Sequence, residues 1–315
     1  MKANDLNTKV TNDLIRRMEE GAGTWQMPWR KLGTSNPTRL NGKPYRGINW
    51  WILSFEQSDR GYSSNEWGTY NGWMERGTIT VNPDTGRKSS TVHVRKDERS
   101  TEVCLWKPEK PSKRQLAANP DAKGYLLQRT YRVFNRDQVE GLPELVPTND
   151  LNPHERWDAG DSYFREVGAT VIEDGDRAYY SPVHDHIAVP KLGQFGNPDH
   201  FYTTLAHEHI HWTGHKSRLD RDLHNRFGSE AYAAEELIAE LGAAFWGAQM
   251  GMEPAVRQDH AAYLKSWLSI LRGDNKAIIT AASRAQAAID HLNQIAGFGT
   301  TAEPDESTDD AAMAA

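Results

Sequence analysis

The chain has 315 residues and a mass of 35.6 kDa, and its 37% hydrophobic and 25% charged residues are typical of a soluble globular protein. No apolar run approaches the ~18 residues that a membrane span requires, and the N-terminus lacks the apolar segment of a secretory signal. A single cysteine, Cys104, excludes an intrachain disulfide and a thiolate metal cluster, so we expect a cytosolic protein with no membrane partner.

The charge is divided unevenly along the chain. Residues 1–150 contain 24 Lys and Arg against 18 Asp and Glu, a balance of +6, whereas the remaining residues contain 13 against 25, a balance of −12. The length suits two domains, each with its own core, with a single domain as the alternative. The charge asymmetry predicts a polyanionic partner for the front half alone.

The front half is predicted to be a mixture of short elements. Residues 5–20 have apolar side chains at four-residue spacing and are predicted to form a helix. Residues 24–140 alternate turn signals with strand candidates, among them "TVHVRK", "EVCLWK" and "YRVFN". Three prolines in residues 141–153 mark a boundary. We predict an α+β fold with a front domain over residues 1–145 and a rear domain over residues 154–296.

The rear half is predicted to be mostly helical. A helix near residue 154 precedes three strand candidates, "ATVIED", "RAYYSP" and "HIAVP". A histidine-bearing helix then ends at Gly214, another begins near a capping Ser229 and ends at Gly251, and two more fill residues 254–272 and 275–296. The polar tail, residues 297–315, is predicted to be disordered.

The stretch "TTLAHEHIHWTGH", residues 203–215, carries the clearest chemical signal. His207 and His211 are four positions apart, so on a helix both imidazoles can reach one ion, and Glu208 follows the first of them. In this H-E-x-x-H arrangement the histidines hold zinc and the glutamate is the general base. His209 points to the opposite side of the helix. The plain alternative is a chance match in a histidine-rich helix.

A catalytic zinc needs a third protein ligand. The longer form of the motif would place a histidine at position 217, where this chain has Ser217. The segment "AAEELIAELGAAF" offers Glu236 as the ligand instead, with Glu240 one turn later to orient a ligand histidine. Glu235 is the weaker candidate, and a solvated acidic face is the alternative interpretation. Ala243, Ala244 and Gly247 would allow the two helices to approach closely.

Seven of the eleven tryptophans lie between residues 25 and 106, interleaved with basic residues. Exposed aromatic rings can stack on unpaired bases while lysine and arginine bind phosphates, so this region predicts single-stranded DNA binding. The plain alternative is that the tryptophans build a core. The candidate DNA contacts are Trp25, Trp29, Arg30, Arg46, Trp67, Lys96 and Arg99.

Several stretches together carry a family resemblance. "EEGAGTWQMPW", "GKPYRGINWWIL" and "VFNRDQVEGLP" in the front half, and "FYTTLAHEHIHWTGHKSRLDRDL" and "EAYAAEELIAELGAAF" in the rear half, resemble the ArdC-type plasmid antirestriction proteins and the front region of TraC-type plasmid primases. The resemblance covers the chain to about residue 296. The chain departs from the family pattern at "VRKDERST", where members tend to have "VRKGEKGT".

The resemblance implies a single-stranded-DNA-binding front domain and a zincin-like metallopeptidase rear domain, working in the cytoplasm of a bacterial host. Its metal ligands would be His207, His211 and Glu236, with Glu208 as the base. The cofactor would be Zn²⁺, with another divalent transition metal such as Mn²⁺ as the alternative. Tyr180, His184 and His186, near a strand candidate, could border a substrate groove, with simple surface positions as the alternative. His215 could lie at the rim of the metal site or in a loop.

The resemblance also implies a role, protection of incoming plasmid DNA from host restriction during conjugation, for which a host restriction enzyme would be an obvious protein target. One alternative is a DNA-masking protein whose metal site is structural or inactive. A second is a metal-dependent nuclease, which two imidazole ligands and the −12 balance of the rear half oppose.

Overall fold

The structure is a computed structural model that describes residues 3–21, 36–119, 121, 123–144, 153–221, 223, 230–253 and 260–299. Among the predicted features, Trp25, Trp29, Arg30, the capping Ser229 and all but the first three residues of the tail lie outside these ranges. None of the described helices is long and apolar enough to cross a membrane.

The front half combines helices and strands within its described residues. They are α1 (Ala3–Gly21), β1 (Thr38–Arg39), α2 (Ile48–Arg60), β2 (Glu66–Gly68), α3 (Tyr70–Glu75), β3 (Ile79–Val81), β4 (Lys88–Ser90), β5 (His93–Val94), β6 (Thr101–Glu109), α4 (Lys113–Ala118), β7 (Tyr125–Asn135) and β8 (Val139–Glu140). The predicted first helix and the strands at "EVCLWK" and "YRVFN" are confirmed. Helices α2, α3 and α4 also lie between residues 24 and 140, where only strand-like and turn-rich pieces are named above.

The front sheet has the strand order β1-β2-β7-β6, so β6 forms one edge. Asn49 of α2 covers part of that edge: its Nδ2 donates to the Cys104 carbonyl at 2.7 Å and its Oδ1 accepts from the Cys104 N–H at 2.7 Å. The side-chain amide thus stands in for a neighbouring strand, which fixes α2 against the sheet.

Two further strand pairs complete the described part of the front half: β3 pairs antiparallel with β4, and β5 pairs antiparallel with β8. Just after β5, Asp97 has a φ of 66°, in the left-handed region. The family resemblance of this stretch predicts a glycine at this position. The aspartate therefore keeps a backbone conformation that glycine adopts at no steric cost.

The rear half begins at α5 and is dominated by helices. Its described elements are α5 (Pro153–Val167), β9 (Thr170–Glu173), β10 (Tyr179–Ser181), β11 (His186–Val189), α6 (Pro198–Thr213), α7 (Glu230–Met250), α8 (His260–Gly273) and α9 (Ala277–Ile295). The three strands form a sheet of order β10-β11-β9, in which β11 is antiparallel to β10 and parallel to β9. All three predicted strands are confirmed.

The main hydrophobic core extends across both halves. Trp50 and Trp51 of α2 pack on Phe245 of α7, with ring centroids 5.3 and 6.0 Å apart, and Thr11 of α1 donates to the Asn275 carbonyl at 3.0 Å. Separate from this, a small cluster around Tyr45, Leu53, Trp67, Val103 and Val133 fills the front sheet. The front half therefore has a small core of its own, while the apolar faces of α1 and α2 join the core of the rear half.

Candidate metal centre

Helix α6 carries the histidine motif and begins at a well-formed N-terminus. The Asn197 side chain accepts a hydrogen bond from the Asp199 N–H, and Pro198 occupies the first turn. The Asp199 carboxylate accepts from Trp157 Nε1 at 2.7 Å and from the Glu253 N–H at 3.1 Å, which ties this end of α6 to α5 and to the segment after α7. The helix is therefore held at its start by neighbouring elements.

Helices α6 and α7 approach each other closely around Gly242. A Cβ atom built on Gly242 would lie 2.6 Å from Ile210 Cγ1, and one built on Gly247 would lie 3.3 Å from Thr203. Gly247 was predicted to have this role, but the tighter contact is at Gly242, which the sequence analysis did not name. The absence of a side chain at position 242 lets the carboxylates of α7 reach the histidines of α6.

The structure brings His207, His211 and Glu236 together, and their candidate ligand atoms lie within 4.8 Å of one another. His207 Nε2 is 3.1 Å from His211 Nε2 and 3.5 Å from Glu236 Oε2. His211 Nε2 is 3.5 Å from Glu236 Oε1. Each carboxylate oxygen of Glu236 thus faces one imidazole nitrogen, and the three residues form a compact triangle.

The separations of 3.1 and 3.5 Å between these atoms are close to those that a tetrahedral metal requires. Zinc bonds to imidazole nitrogen and carboxylate oxygen are roughly 2.0–2.2 Å long, which separates neighbouring ligands by roughly 3.3–3.5 Å in a tetrahedron. The chemistry of the set, two imidazoles and one carboxylate, also suits zinc and other divalent transition metals. These three residues can therefore hold such a metal through three of its positions and leave a fourth for another ligand.

Each of the two histidines has a carboxylate at its other ring nitrogen. His207 Nδ1 lies 3.0 Å from Glu240 Oε1, and His211 Nδ1 lies 3.2 Å from Glu235 Oε1. Such contacts fix the orientation of a metal-binding imidazole and increase its basicity. Glu240 was predicted to do this, whereas Glu235 was considered only as a weaker metal ligand. The geometry gives Glu235 the orienting position on the second histidine.

Glu235 is itself held by a buried arginine. Arg221 donates from Nε to Glu235 Oε2 at 3.0 Å and from Nη2 to Glu235 Oε1 at 2.9 Å. The same guanidinium donates to the Ile210 carbonyl at 2.6 Å and to Thr213 Oγ1 at 2.9 Å, which satisfies acceptors in the last turn of α6. Arg221, Glu235 and His211 thus form a continuous chain from the segment after α6 to the centre.

Burial and charge strongly perturb the ionisation of this site. Burial lowers the pKa of His211, but the adjacent carboxylates, chiefly Glu236 and then Glu235, outweigh it and raise that pKa to about 10. For Glu236, burial raises the pKa, while the two imidazoles outweigh burial and hold it far below its usual range. Without a metal, the site is therefore an imidazolium between two carboxylates at neutral pH.

Glu208 follows His207 on α6 and is only 2% exposed, so its side chain is buried within the protein. His209 is fully buried on another face: its Nδ1 lies 2.8 Å from the Leu205 carbonyl, and its ring lies 4.4 Å from that of Phe164. Burial lowers the pKa of His209 to about 4. His209 is therefore a neutral core residue, in line with its predicted exclusion from the ligand set.

A cavity of about 510 Å³ opens at the C-terminal end of α6. Its lining residues are Pro182, Val183, Gly214, His215, Lys216, Asp220, Arg221 and Leu223. His215, whose Nδ1 is 2.8 Å from Ser217 Oγ, therefore lies at the wall of a cavity rather than with the three candidate ligands. Arg221 is common to this wall and to the contacts that orient His211.

The neighbouring residues on β10 and β11 have defined partners. Tyr180 Oη donates to Asp185 at 2.7 Å, and Arg218, whose guanidinium lies 3.8 Å from the Trp212 ring, donates to Tyr180 Oη at 3.1 Å. His184 and His186 stack on each other with ring centroids 5.9 Å apart. The groove role suggested for Tyr180 and these two histidines stays a prediction.

The described candidates for DNA contact divide into two groups. Trp67 is 0% exposed in the small front core, so its ring has no free face for a base; its predicted stacking role is wrong. The sheet alternation places this side chain inward although its neighbours are polar. Arg46, Lys96 and Arg99 are at the surface, and Arg46 pairs with Asp290 of α9. Their DNA contacts stay predictions.

Comparison with known proteins places these features in a family. Residues 4–139 match a family model described as the N-terminal domain of anti-restriction factor ArdC, and residues 158–284 match one described as a zincin-like metallopeptidase. The metal-free crystal structure of antirestriction protein ArdC from plasmid R388 is 35% identical, with a TM-score of 0.74 over 93% of this chain and 98% of that one. The chain belongs to the ArdC antirestriction family. Its α+β architecture of two domains is that of the family.

Other relatives of this ArdC-family chain bear on the metal and on the front region. An Mn(II)-bound structure of the R388 ArdC protein matches with a TM-score of 0.72, at 35% identity, over 92% of this chain and 98% of that one. Together with the zincin-like match and the triangle of ligand atoms, it supports binding of a divalent metal. The protein y4eC of Sinorhizobium fredii is 35% identical over 92% of both chains. An Escherichia coli DNA primase TraC is 35% identical over 90% of this chain, which spans only 19% of the primase.

Proposed function

We propose that this ArdC-family protein binds single-stranded DNA and carries a zinc-dependent peptidase centre, and that it protects incoming plasmid DNA from host restriction during conjugation. The observation that carries the enzymatic part is the triangle of His207, His211 and Glu236, with Glu208 next to His207 on α6. Manganese is the alternative metal, in view of the Mn(II)-bound relative. A host restriction enzyme is the proposed protein target.

The residues of the centre have separate roles in this proposal. His207, His211 and Glu236 hold the metal, which when bound polarises a carbonyl and lowers the pKa of water. Glu208 accepts the proton of the attacking water and delivers it to the leaving amine. Glu240 and Glu235 keep the two imidazoles oriented with Nε2 toward the metal.

The DNA-binding part rests on charge and on the family match. The front half has a balance of +6 against −12 for the remainder, and it matches the ArdC N-terminal domain. A basic surface attracts phosphates and makes binding fall with rising salt. The front half is therefore the proposed site for single-stranded DNA.

A second candidate function is a DNA-masking protein whose metal is structural. The burial of the site favours it, since His207 is 1% and Glu236 5% exposed, which restricts access for a peptide. In the masking function the metal would stabilise the packing of α6 on α7, and no bond would be hydrolysed.

The Glu208→Gln variant separates the two functions. It removes the proposed base and leaves the three ligand residues intact, so the metal content should match that of the wild type. Under the peptidase function, this variant loses protection of plasmid DNA in a host that has an active restriction system. Full protection by a metal-loaded Glu208→Gln protein would refute the peptidase function and favour masking.

A further inference from the structure

The hairpin formed by β6 and β7 has a basic end, although the protein as a whole is acidic. Over residues 106–132 there are seven Lys and Arg and only two Asp and Glu, although the whole chain has a net charge of −6. The side chains of β6 are buried from Val103 to Leu105 and exposed from Trp106 to Pro108. We call residues 106–132 the basic arm.

Trp106 differs from the other tryptophans that the structure describes. It is 41% exposed, whereas the rest of the described tryptophan side chains are buried or partly buried. It lies on β6, the edge strand of the front sheet, opposite Gln128 of β7. An exposed indole ring at a sheet edge is a candidate for stacking on an unpaired base.

The cations of the basic arm have weak internal partners. Lys107 and Arg129 both approach the single carboxylate of Glu109, at 3.8 and 3.9 Å, and Arg132 lies 3.5 Å from Glu102. Their side chains are 46%, 59% and 70% exposed. Exposed ion pairs of this kind contribute little, so these cations can exchange their partners for phosphates at small cost.

The strand register sets how a ligand can use these groups. Lys107 is opposite Leu127 and Leu105 is opposite Arg129, so Lys107 and Arg129 project from one face of the ribbon, while Trp106 and Arg132 project from the other. Long basic side chains can extend around the edge of a two-stranded ribbon. A flexible strand that crosses the arm near Trp106 therefore meets an aromatic ring flanked by cations, whereas a stiff duplex hides its base faces.

We propose that the basic arm is a contact surface for single-stranded DNA, on which Trp106 stacks with a base and Lys107, Arg129 and Arg132 bind phosphates. This rests on the proposed DNA-binding function and places part of it on residues other than the candidates considered above. The occupant is a single strand because the surface combines positive charge with one exposed ring.

The test uses the full-length protein and a fluorescein-labelled thirty-base oligonucleotide of mixed sequence, titrated by fluorescence anisotropy at several salt concentrations. The Trp106→Ala variant should bind about 5- to 150-fold more weakly, while Trp106→Phe keeps most of the affinity. Arg129→Glu should weaken binding and make its dependence on salt less steep, because at least one phosphate contact is lost. The matched control is Arg177→Glu in the rear half, where Arg177 is 89% exposed, and it should bind like the wild type.

The outcomes test the proposal for the basic arm separately from the proposed DNA-binding function. If wild-type protein shows no salt-dependent binding of the oligonucleotide, the proposed DNA-binding function fails, and the arm proposal with it. If wild-type protein binds while Trp106→Ala and Arg129→Glu bind equally well, with unchanged melting temperatures, the arm proposal alone is overturned. If Arg177→Glu weakens binding as much as Arg129→Glu, net charge explains the effect and the arm is not the site. If Trp106→Ala weakens the binding of duplex DNA as much as that of the single strand, base stacking by Trp106 is excluded.

Discussion

Removing either charge of the Arg221–Glu235 pair is expected to destabilise the protein by about 3–5 kcal/mol, because the charge that is left becomes buried without its partner. The side chains of Arg221 and Glu235 are only 8% and 10% exposed, and the guanidinium contacts both carboxylate oxygens. The variants Arg221→Met and Glu235→Gln each remove one charge while keeping similar volume.

The double variant provides the internal control for this prediction. Since neither charge remains, its loss of stability should be smaller than the sum of the two single losses, with a coupling of about 0.5–3 kcal/mol. The assay is urea unfolding of the four proteins with a chelator present, so that metal binding does not enter the comparison. Strictly additive losses would show that the pair does not act as a unit.

The same variants test the orienting role of Glu235 independently of stability. Glu235→Gln keeps an oxygen that can accept from His211 Nδ1, so its metal affinity should fall less than that of Glu235→Ala. For Glu235→Ala the expected loss is about 10- to 100-fold, the range for residues that support metal ligands. Calorimetric titration with zinc measures both. Wild-type affinity in Glu235→Ala would refute the assigned position of this carboxylate.

Three further predictions concern ionisation and packing. Because the folded-state pKa of His211 is raised to about 10 from its ordinary 6.5, its charge contributes fully to the stability of the metal-free protein below about pH 6.5. That contribution should be lost as the pH rises toward 10, in urea titrations with chelator; stability that rises over this window would contradict it. Trp67→Ala should cost about 3–5 kcal/mol of unfolding free energy, since the ring is fully buried; a loss below about 1 kcal/mol would place it outside the core. Asn49→Ala should cost about 2–5 kcal/mol of unfolding free energy, because it leaves a buried N–H and a buried carbonyl of Cys104 without their partner. Thermal melting beside the wild type measures this loss, and a smaller loss would contradict the prediction.

Local periodicity explains what the sequence could predict of the centre. His207 and His211 are one turn apart on α6, and Glu236 and Glu240 are one turn apart on α7, so each pair faces one way whatever surrounds it. Glu235 is offset by about 100° from Glu236 around the helix axis, and this offset alone predicts that its side chain points away from the site. The residues around it, from Glu235 to Leu241, are all buried, and a buried carboxylate needs a cationic partner.

Long-range packing explains what the sequence could not predict. Arg221 lies in an irregular segment after α6, where no periodicity indicates the direction of a side chain. Helix α2 was missed because its tryptophans, isoleucines and phenylalanine favour strands by local propensity. Their packing on α7 overrides that preference. The polar neighbours of Trp67 in the sequence favour exposure, but its inward position in the sheet decides its burial.

The shared core described for α1, α2 and α7 has a consequence for how the protein can be divided. Separating the two family-matched regions would expose the rings of Trp50, Trp51 and Phe245, which lie against one another in the intact chain. Such fragments would have exposed apolar surfaces and would tend to aggregate. The intact chain should instead melt in one cooperative calorimetric transition. A substitution that destabilises the front half would then also unfold the half that carries the candidate metal centre.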